Sequence, residues 1–316
     1  MGFLRYILLR PVSWMYGVVV LTRNWLFDNN ILKSHSFPFP VICVGNISAG
    51  GTGKTPHVEY IARLLSMNAE VAVLSRGYLR RSRGFRIVTP EDSVMMSGDE
   101  PLQISRRLPG IVVSVDRDRV HGINELKRLY PNLGAVVMDD GFQHRSVRAG
   151  LNILLTSHGK MMTRDHLLPY GRLREKTEGK NRAQVIIVTK TPDEIRDAEM
   201  KQIRQEIDPE GTHEVFFTSL TYGRLRPLFQ PERRKNITAN TSVLLVTGIA
   251  DPSPLVRYLE SISGRVTHLA FNDHHMFSKE DISAIASAFD RLPGNEKIIV
   301  TTEKDSVRLK EIINIA

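Results

Sequence analysis

Short, continuous apolar runs recur along the first two thirds of the chain: Val41-Ile42-Cys43-Val44, Val71-Ala72-Val73-Leu74, Ile111-Val112-Val113, Ala135-Val136-Val137-Met138, Ile153-Leu154-Leu155 and Val185-Ile186-Ile187-Val188. They are rich in β-branched residues and lack polar alternation, the pattern of strands covered on both faces. Between them apolar positions fall at helical spacing, with Val58, Ile61, Ala62 and Leu65 on one face and Ile123, Leu126 and Tyr130 on another. Alternating strand and helix predicts an α/β fold with a mostly parallel sheet flanked by helices.

The alternation resumes at residues 243–246, 266–271 and 298–300, beyond a polar stretch over residues 230–241 that carries Pro231, Arg233, Arg234 and Lys235. Ser278 and Asp281 have capping-box spacing ahead of Ile282, Ile285 and Phe289, with Asp where Glu is preferred. The expected organisation is an N-terminal helical segment over 1–36, a larger α/β domain over 37–220 and a smaller one over 221–316. Their boundary is expected between residues 213 and 241, with extended strands in the connection.

Residues 3–27 form a third kind of pattern, apolar and aromatic but interrupted by Arg5, Arg10 and Arg23. The uncharged stretch from Pro11 to Thr22 would extend roughly 18 Å as a helix against about 30 Å of bilayer hydrocarbon, which argues against a membrane span. No small-residue cleavage site follows, so a secretory signal is also a poor fit. Trp14, Tyr16 and Trp25 with their flanking arginines suit a helix lying in the headgroup region of an anionic membrane surface. The alternative is a terminal helix packed on the protein's own core.

Composition narrows the partners. Of the 316 residues 41% are hydrophobic and 24% charged, as in a folded globular protein. A single cysteine, Cys43, cannot form an internal disulfide and sits in a strand-like run, which fits a buried thiol in a reducing compartment. The net charge of +9 points to an acidic partner: nucleic acid, anionic lipid or a phosphorylated small molecule. Arg76, Arg80, Arg81, Arg83 and Arg86 fall in a stretch without acids, either as a phosphate-facing cluster or as a solvated basic loop. Aromatics are only 7% of the chain and no nucleic-acid recognition module is evident, so no nucleic-acid partner is expected.

The chemistry begins at Gly45-Asn46-Ile47-Ser48-Ala49-Gly50-Gly51-Thr52-Gly53-Lys54-Thr55, which follows one predicted strand and precedes the Val58 helix. That is the setting of a P-loop, although Ser48 occupies the position of its first glycine. Backbone amides of Ser48, Ala49, Gly50, Gly51, Thr52 and Gly53 would close around phosphate oxygens, Lys54 would reach the β and γ phosphates, and Thr55 would offer its hydroxyl to Mg²⁺. A glycine-rich turn without ligand is the competing reading. The run Gly134-Ala135-Val136-Val137-Met138-Asp139-Asp140 reads as a strand ending in carboxylates, making Asp139 a candidate for the Mg²⁺ shell; paired acids at a strand end are otherwise a turn signal.

With these placed, the chain resembles the tetraacyldisaccharide 4′-kinase family of lipid A biosynthesis in Gram-negative bacteria. Besides the Gly50-Gly51-Thr52-Gly53-Lys54-Thr55-Pro56 loop, the resemblance rests on Leu74-Ser75-Arg76-Gly77-Tyr78, Gly98-Asp99-Glu100-Pro101, Asp139-Asp140-Gly141-Phe142-Gln143-His144, Leu168-Pro169, Leu173-Arg174-Glu175, Thr247-Gly248-Ile249-Ala250, Asp273-His274-His275 and Thr302-Glu303-Lys304-Asp305. Departures include Leu79 where the family often has glycine, Asn272 where it often has proline, and Tyr170 and Arg172 after the Leu-Pro pair.

The resemblance implies transfer of the ATP γ-phosphoryl group to the 4′-hydroxyl of a tetraacylated disaccharide 1-phosphate. The implied setting is the cytoplasmic face of the inner membrane, with Mg²⁺ as the metal and a monomer as the expected state. It implies Asp99 as the base and His274 as the partner that orients it or shares its proton. It also implies Arg119 and Gln143 near the nucleotide with His144, Glu175 near the metal, and Tyr78 with Arg76 near the substrate. Read from the residues alone, Asp99 could cap a helix at Pro101, and Asp273-His274-His275 could hold a metal. For Arg119, Gln143, His144, Glu175 and Tyr78, an ion pair or core hydrogen bond is the alternative. The end of the run Val188-Thr189-Lys190 is a candidate wall of the adenine pocket. The rival function is a P-loop ATPase or GTPase switch, or a metal-delivery protein, without a lipid acceptor.

Overall fold

A computed structural model describes residues 2–229 and 236–315. The linker residues Pro231, Arg233, Arg234 and Lys235 therefore lie outside the described residues, as does the Arg5 side chain. In chain order the elements are α1 (Gly2–Asp28), β1 (Val41–Gly45), α2 (Lys54–Ser66), β2 (Val71–Ser75), β3 (Arg86–Ile87), α3 (Val94–Ser97), α4 (Asp99–Arg107), β4 (Val112–Val115), α5 (Arg119–Leu129), β5 (Ala135–Asp139), β6 (Leu151–Ser157), β7 (Val185–Thr189), α6 (Asp197–Ile207) and β8 (Glu214–Phe217). The smaller unit continues with β9 (Ser242–Thr247), α7 (Ser253–Ile262), β10 (Arg265–Ala270), α8 (Lys279–Asp290), β11 (Lys297–Thr301) and α9 (Glu303–Ile315).

All six apolar runs of the first unit become strands of one eight-stranded sheet in the order β3-β4-β2-β5-β1-β6-β7-β8. Every neighbouring pair in it is parallel except the short edge pair β3–β4. Burial on both faces explains the unbroken runs: β1, β2 and β5 are buried throughout, with α2 on one side and α5 on the other. Cys43 lies inside this core, where burial pushes its thiol up to about 12. It is an inert packing residue.

The second unit holds a parallel three-stranded sheet, β10-β9-β11. Ser278 caps α8 in the expected reciprocal box with Asp281. No strand forms among the described residues of the connection over 218–241, contrary to the expected extended ribbon. Its Leu225 and Ile237 pack singly on the core of the small sheet and Tyr222 stacks on Tyr258, while Pro227 has no N–H to offer a ladder. The two units are joined again by α9. Its Val307 packs in the core that contains Leu102 and Val94, its Leu309 packs in the core of the small sheet, and its Glu311 carboxylate accepts from the Val94 backbone N–H.

Helix α1 has two distinct faces. One face is tied to the larger unit: Ser13 Oγ donates to the Leu167 carbonyl at 3.0 Å, Tyr16 Oη to that of Arg174 at 2.7 Å and Arg23 to that of Gln143 at 2.8 Å. Tyr16 and Arg23 thus belong to the docked face, not to the headgroup-facing set in which the sequence places them, because their polar ends find buried backbone acceptors. The other face exposes Val12, Trp14, Met15, Val19 and Trp25, with Trp14 72% accessible. Among the described residues no helix is long and apolar enough to cross a membrane.

Candidate active site

The P-loop leaves the C-terminal end of β1, where Gly45 is required by close approach: a Cβ there would stand 2.7 Å from Phe142 Cβ. Gly50 and Gly53 take φ of 111° and 84°, values that admit glycine readily, and Gly53 leads directly into α2. Asn46 Nδ2 donates to Thr52 Oγ1 at 2.8 Å, and Thr189 Oγ1 at the end of β7 donates to the Thr52 carbonyl at 2.8 Å. The strand end read as a wall of the adenine pocket therefore braces the loop.

A strap from residue 166 to 175 supports the loop from outside. Ser48 forms an antiparallel bridge with Leu173; Ala49 N–H donates to the Arg172 carbonyl and Arg174 N–H to that of Ile47, both at 2.7 Å. The same strap carries the acceptors of Ser13 and Tyr16, so the N-terminal helix and the phosphate loop are fastened to one segment. Gln143 and Glu175 complete this brace. Gln143 Nε2 donates to the Asn46 carbonyl and to Glu175, each at 2.9 Å. Glu175 also accepts from Arg182 at 2.7 Å and Asn24 at 3.2 Å. Glu175, the carboxylate expected near the metal, thus accepts from three donors at its two oxygens, which fixes its orientation beside the P-loop.

Asp139 ends β5 beside Val44, as the parallel register dictates. Ser75 Oγ donates to its Oδ2 at 2.9 Å, while Oδ1 is buried with no hydrogen-bond partner among the described residues. Burial first, and then the negative charges of Glu100 and Asp140, raise this carboxyl to about 7 against the attraction of Lys54. Asp140 follows in a left-handed conformation with φ 49° and lies 3.7 Å from Lys54 Nζ and 3.1 Å from Arg174. Burial would raise the Asp140 carboxyl, but Lys54 and Arg174 hold it below its ordinary value. Thr55 stands half-buried in the first turn of α2.

Arg119 lies beneath this strand end and not on its open side. It is 1% exposed and donates to the carbonyls of Asp116 and Asp139; burial lowers it to about 10. Arg119, expected near the nucleotide, thus makes its hydrogen bonds to backbone carbonyls at the end of the sheet. His144 sits nearby, lowered to about 4 by burial and then by Arg119 and Arg76, and so stays neutral at pH 7. Within the basic stretch, Arg80 donates to Ser82 and Gly84 and Arg86 pairs with Asp92, so both serve their own loop. Arg76, Arg81 and Arg83 are exposed.

Asp99 opens α4 immediately after Gly98, whose φ of 90° turns the chain into the helix, and the adjoining Glu100 is close enough to the β5 end for its charge to act on Asp139. Asp99 is 4% exposed, and its Oδ2 lies 2.9 Å from His274 Nδ1 across 175 positions of chain. Its Oδ1 accepts from the Glu100 N–H at 2.9 Å, and Arg308 Nε approaches to 4.0 Å. Burial opposes ionisation, yet the His274 hydrogen bond and the charges of Lys304 and Arg308 hold the carboxyl below its ordinary value. The positive end of α4 acts in the same direction. The helix-capping role open to Asp99 is not the one observed, since Gly98 occupies the cap without a side-chain bond.

His274 adopts φ 58°, uncommon for a residue with a Cβ, and the Tyr78 ring meets its ring edge-on at 5.2 Å. His275 turns away to Asp281 at 2.8 Å. The two neighbouring imidazoles thus serve different carboxylates, and no cluster of metal-ligating side chains occurs among the described residues. Lys304, Glu100 and Arg308 were not singled out from sequence. Lys304 lies 3.1 Å from both His274 Nε2 and Glu100 Oε1. At the start of α9, Thr302 Oγ1 accepts from the Asp305 N–H at 3.1 Å and donates to Asp305 Oδ2 at 2.6 Å, with Lys304 in the first turn and Arg308 one turn on. The Thr-Glu-Lys-Asp block was the available signal for them.

The family model described as tetraacyldisaccharide-1-P 4′-kinase matches residues 5–316. The tetraacyldisaccharide 4′-kinase of Bacteroides thetaiotaomicron is 47% identical over 313 residues, covering 95% of this chain and 82% of that protein. That of Flavobacterium psychrophilum is 42% identical over 318 residues, covering 99% and 90%. The crystal structure of LpxK from Aquifex aeolicus in complex with ATP superposes with a TM-score of 0.73 at 32% identity, covering 97% of this chain and 90% of that one. The chain belongs to the tetraacyldisaccharide-1-P 4′-kinase family.

Proposed function

We propose that the protein transfers the γ-phosphoryl group of ATP to the 4′-hydroxyl of a tetraacylated disaccharide 1-phosphate, with Asp99 as the proton acceptor. The observation that carries this reading is the Asp99–His274 pair, a buried carboxylate kept ionised and adjoining Glu100, whose charge reaches Asp139 at the end of β5. The P-loop amides and Lys54 hold the β and γ phosphates. As the acceptor oxygen bonds to the γ-phosphorus, the bond from that phosphorus to the β,γ-bridging oxygen breaks. ADP leaves, and the hydroxyl proton passes to Asp99.

Mg²⁺ fits this arrangement because Asp139 Oδ1 is a buried carboxylate oxygen without a partner, and Thr55 offers a hydroxyl at the head of α2. Those two residues would hold the ion, which supplies charge neutralisation on the β and γ phosphates. Arg76 and Tyr78, exposed at the end of β2, line the acceptor's approach, and the units over 37–220 and 221–316 contribute one member each to the dyad. The exposed apolar face of α1 rests on an anionic membrane surface, the cytoplasmic face of the inner membrane, from which the acylated acceptor is drawn. Trp14→Ala with Trp25→Ala should weaken binding to anionic vesicles by about 10²; unchanged binding would move the membrane contact elsewhere.

Incubation with γ-labelled ATP, Mg²⁺ and mixed micelles of the tetraacyl disaccharide 1-phosphate tests the reaction. Label should enter the lipid fraction and be lost with Lys54→Ala. Label released only as free phosphate would favour the switch-ATPase reading.

A further inference from the structure

We infer that Lys304 is a positioning residue for the proton-accepting pair, fixing His274 as a neutral ring that carries its proton on Nδ1 and donates it to Asp99. The inference rests on the proposed role of Asp99 as base. It starts from an asymmetry between the two ring nitrogens. Nδ1 lies 2.9 Å from a carboxylate oxygen, and Nε2 lies 3.1 Å from the Lys304 ammonium.

An ammonium has three N–H donors and no acceptor, so Nε2 must meet it with a lone pair. A ring accepting at Nε2 carries its single proton on Nδ1, where the neighbour is an acceptor. Lys304 is itself held in place by Glu100 Oε1 at 3.1 Å and Asp273 Oδ1 at 3.8 Å. Glu100 adjoins Asp99 and Asp273 adjoins His274, so each member of the dyad has a sequence neighbour gripping the same ammonium. The lysine therefore closes a ring of contacts between α4, the 272–275 turn and α9.

The consequence for the reaction follows from the donor count at Asp99. One oxygen takes the His274 Nδ1–H and the other the Glu100 N–H, which orients the carboxylate while leaving lone-pair capacity for the acceptor's proton. Without Lys304, the nearest polar group to Nε2 is Asp273 Oδ2 at 3.9 Å, an acceptor. Nε2 would then be free to carry a proton toward Asp273, while Nδ1 keeps its own for the Asp99 carboxylate, and the ring would no longer be held neutral. Tyr78 packs edge-on against the ring, and Arg308 lies against Asp99 on the other side. Neither of them can replace the missing donor at Nε2.

The test is the ring-nitrogen NMR spectrum of ¹⁵N-histidine-labelled protein, with His274 assigned by comparison with His274→Gln. Wild type and Lys304→Arg should show Nδ1 protonated and Nε2 bare, whereas Lys304→Met should show protonation at Nε2 as well. In steady-state assays Lys304→Met should lower kcat about tenfold, with both KM values changing less than about twofold and Lys304→Arg recovering most of the loss. A wild-type ring protonated on Nε2, or a Lys304→Met protein with wild-type tautomer and kcat, would overturn the inference. Should Lys304→Met fail to fold, the wild-type and Lys304→Arg spectra still decide it. The spectrum is read without substrate, so failure of wild type to phosphorylate the lipid would count against the proposed reaction and not against the tautomer.

Discussion

Lys54 and Thr55 owe their positions to a single contiguous segment, residues 45–55, in which a buried strand, a glycine-bearing loop and the start of a helix follow one another. Asp99, on the opposite wall of the cleft, finds its partner only after 175 intervening positions, through a turn and a helix of the smaller unit. The first wall is coded locally and then stiffened by the strap and α1. The second exists only when α9 has docked, with Val307 in one core and Leu309 in the other. Nucleotide holding and proton acceptance are therefore separable, and substitutions on the two walls should fail in different ways.

The largest effect is expected from Lys54→Ala, which removes a preorganised cation from the phosphates. Transfer should fall on the order of 10³ in kcat/KM, about 4 kcal/mol of transition-state stabilisation, with weakened ATP binding. Unaltered ATP affinity and turnover would break the assignment of the first wall. His274→Ala should cost roughly 10² in kcat while ATP binding persists, because Asp99 loses its orienting donor but the P-loop is untouched. Equal losses in affinity and rate would mean that the two walls are not separable.

The third prediction concerns Asp139, where the walls meet. Its folded-state carboxyl is raised to about 7, so the folded chain keeps a proton that the unfolded chain releases near the ordinary carboxylate value. The associated stability is complete below that ordinary value and is lost as pH rises through about 7. Wild type should therefore lose on the order of 4 kcal/mol across this window relative to Asp139→Asn, as read by denaturant titration at several pH values. Parallel curves would show that Asp139 is ionised throughout. The smallest effect is expected from Tyr16→Phe, which deletes one hydrogen bond between α1 and the strap. A loss of about 1 kcal/mol, or a few degrees in Tm, should result. No change in Tm would remove this contact from the support of the P-loop.

The contrast between the walls also explains what the sequence could disclose. The strands, the P-loop and the Asp139 strand end were legible because each is a local pattern: a doubly buried run, a turn that needs glycine, a helix with one apolar face. The Asp99–His274 pair was not readable from spacing, since an acid before a proline reads as a helix cap and two adjacent histidines read as metal ligands. Only the resemblance to the family joined them. The protein partners of Glu175 and Arg119 were hidden as well: Arg182, Gln143 and Asn24 for the first, and the carbonyls of Asp116 and Asp139 for the second, are set by packing and not by a local motif. Lys304 escaped notice because its meaning lies in the geometry of two ring nitrogens, which no spacing records.

The most direct test of this division of labour measures ATP affinity and single-turnover transfer on the same preparation of Asp99→Ala. The account predicts wild-type ATP affinity with a transfer rate lower by on the order of 10² or more, the usual scale for loss of a general base. Transfer near the wild-type rate, or a loss explained by weakened ATP binding, would contradict it.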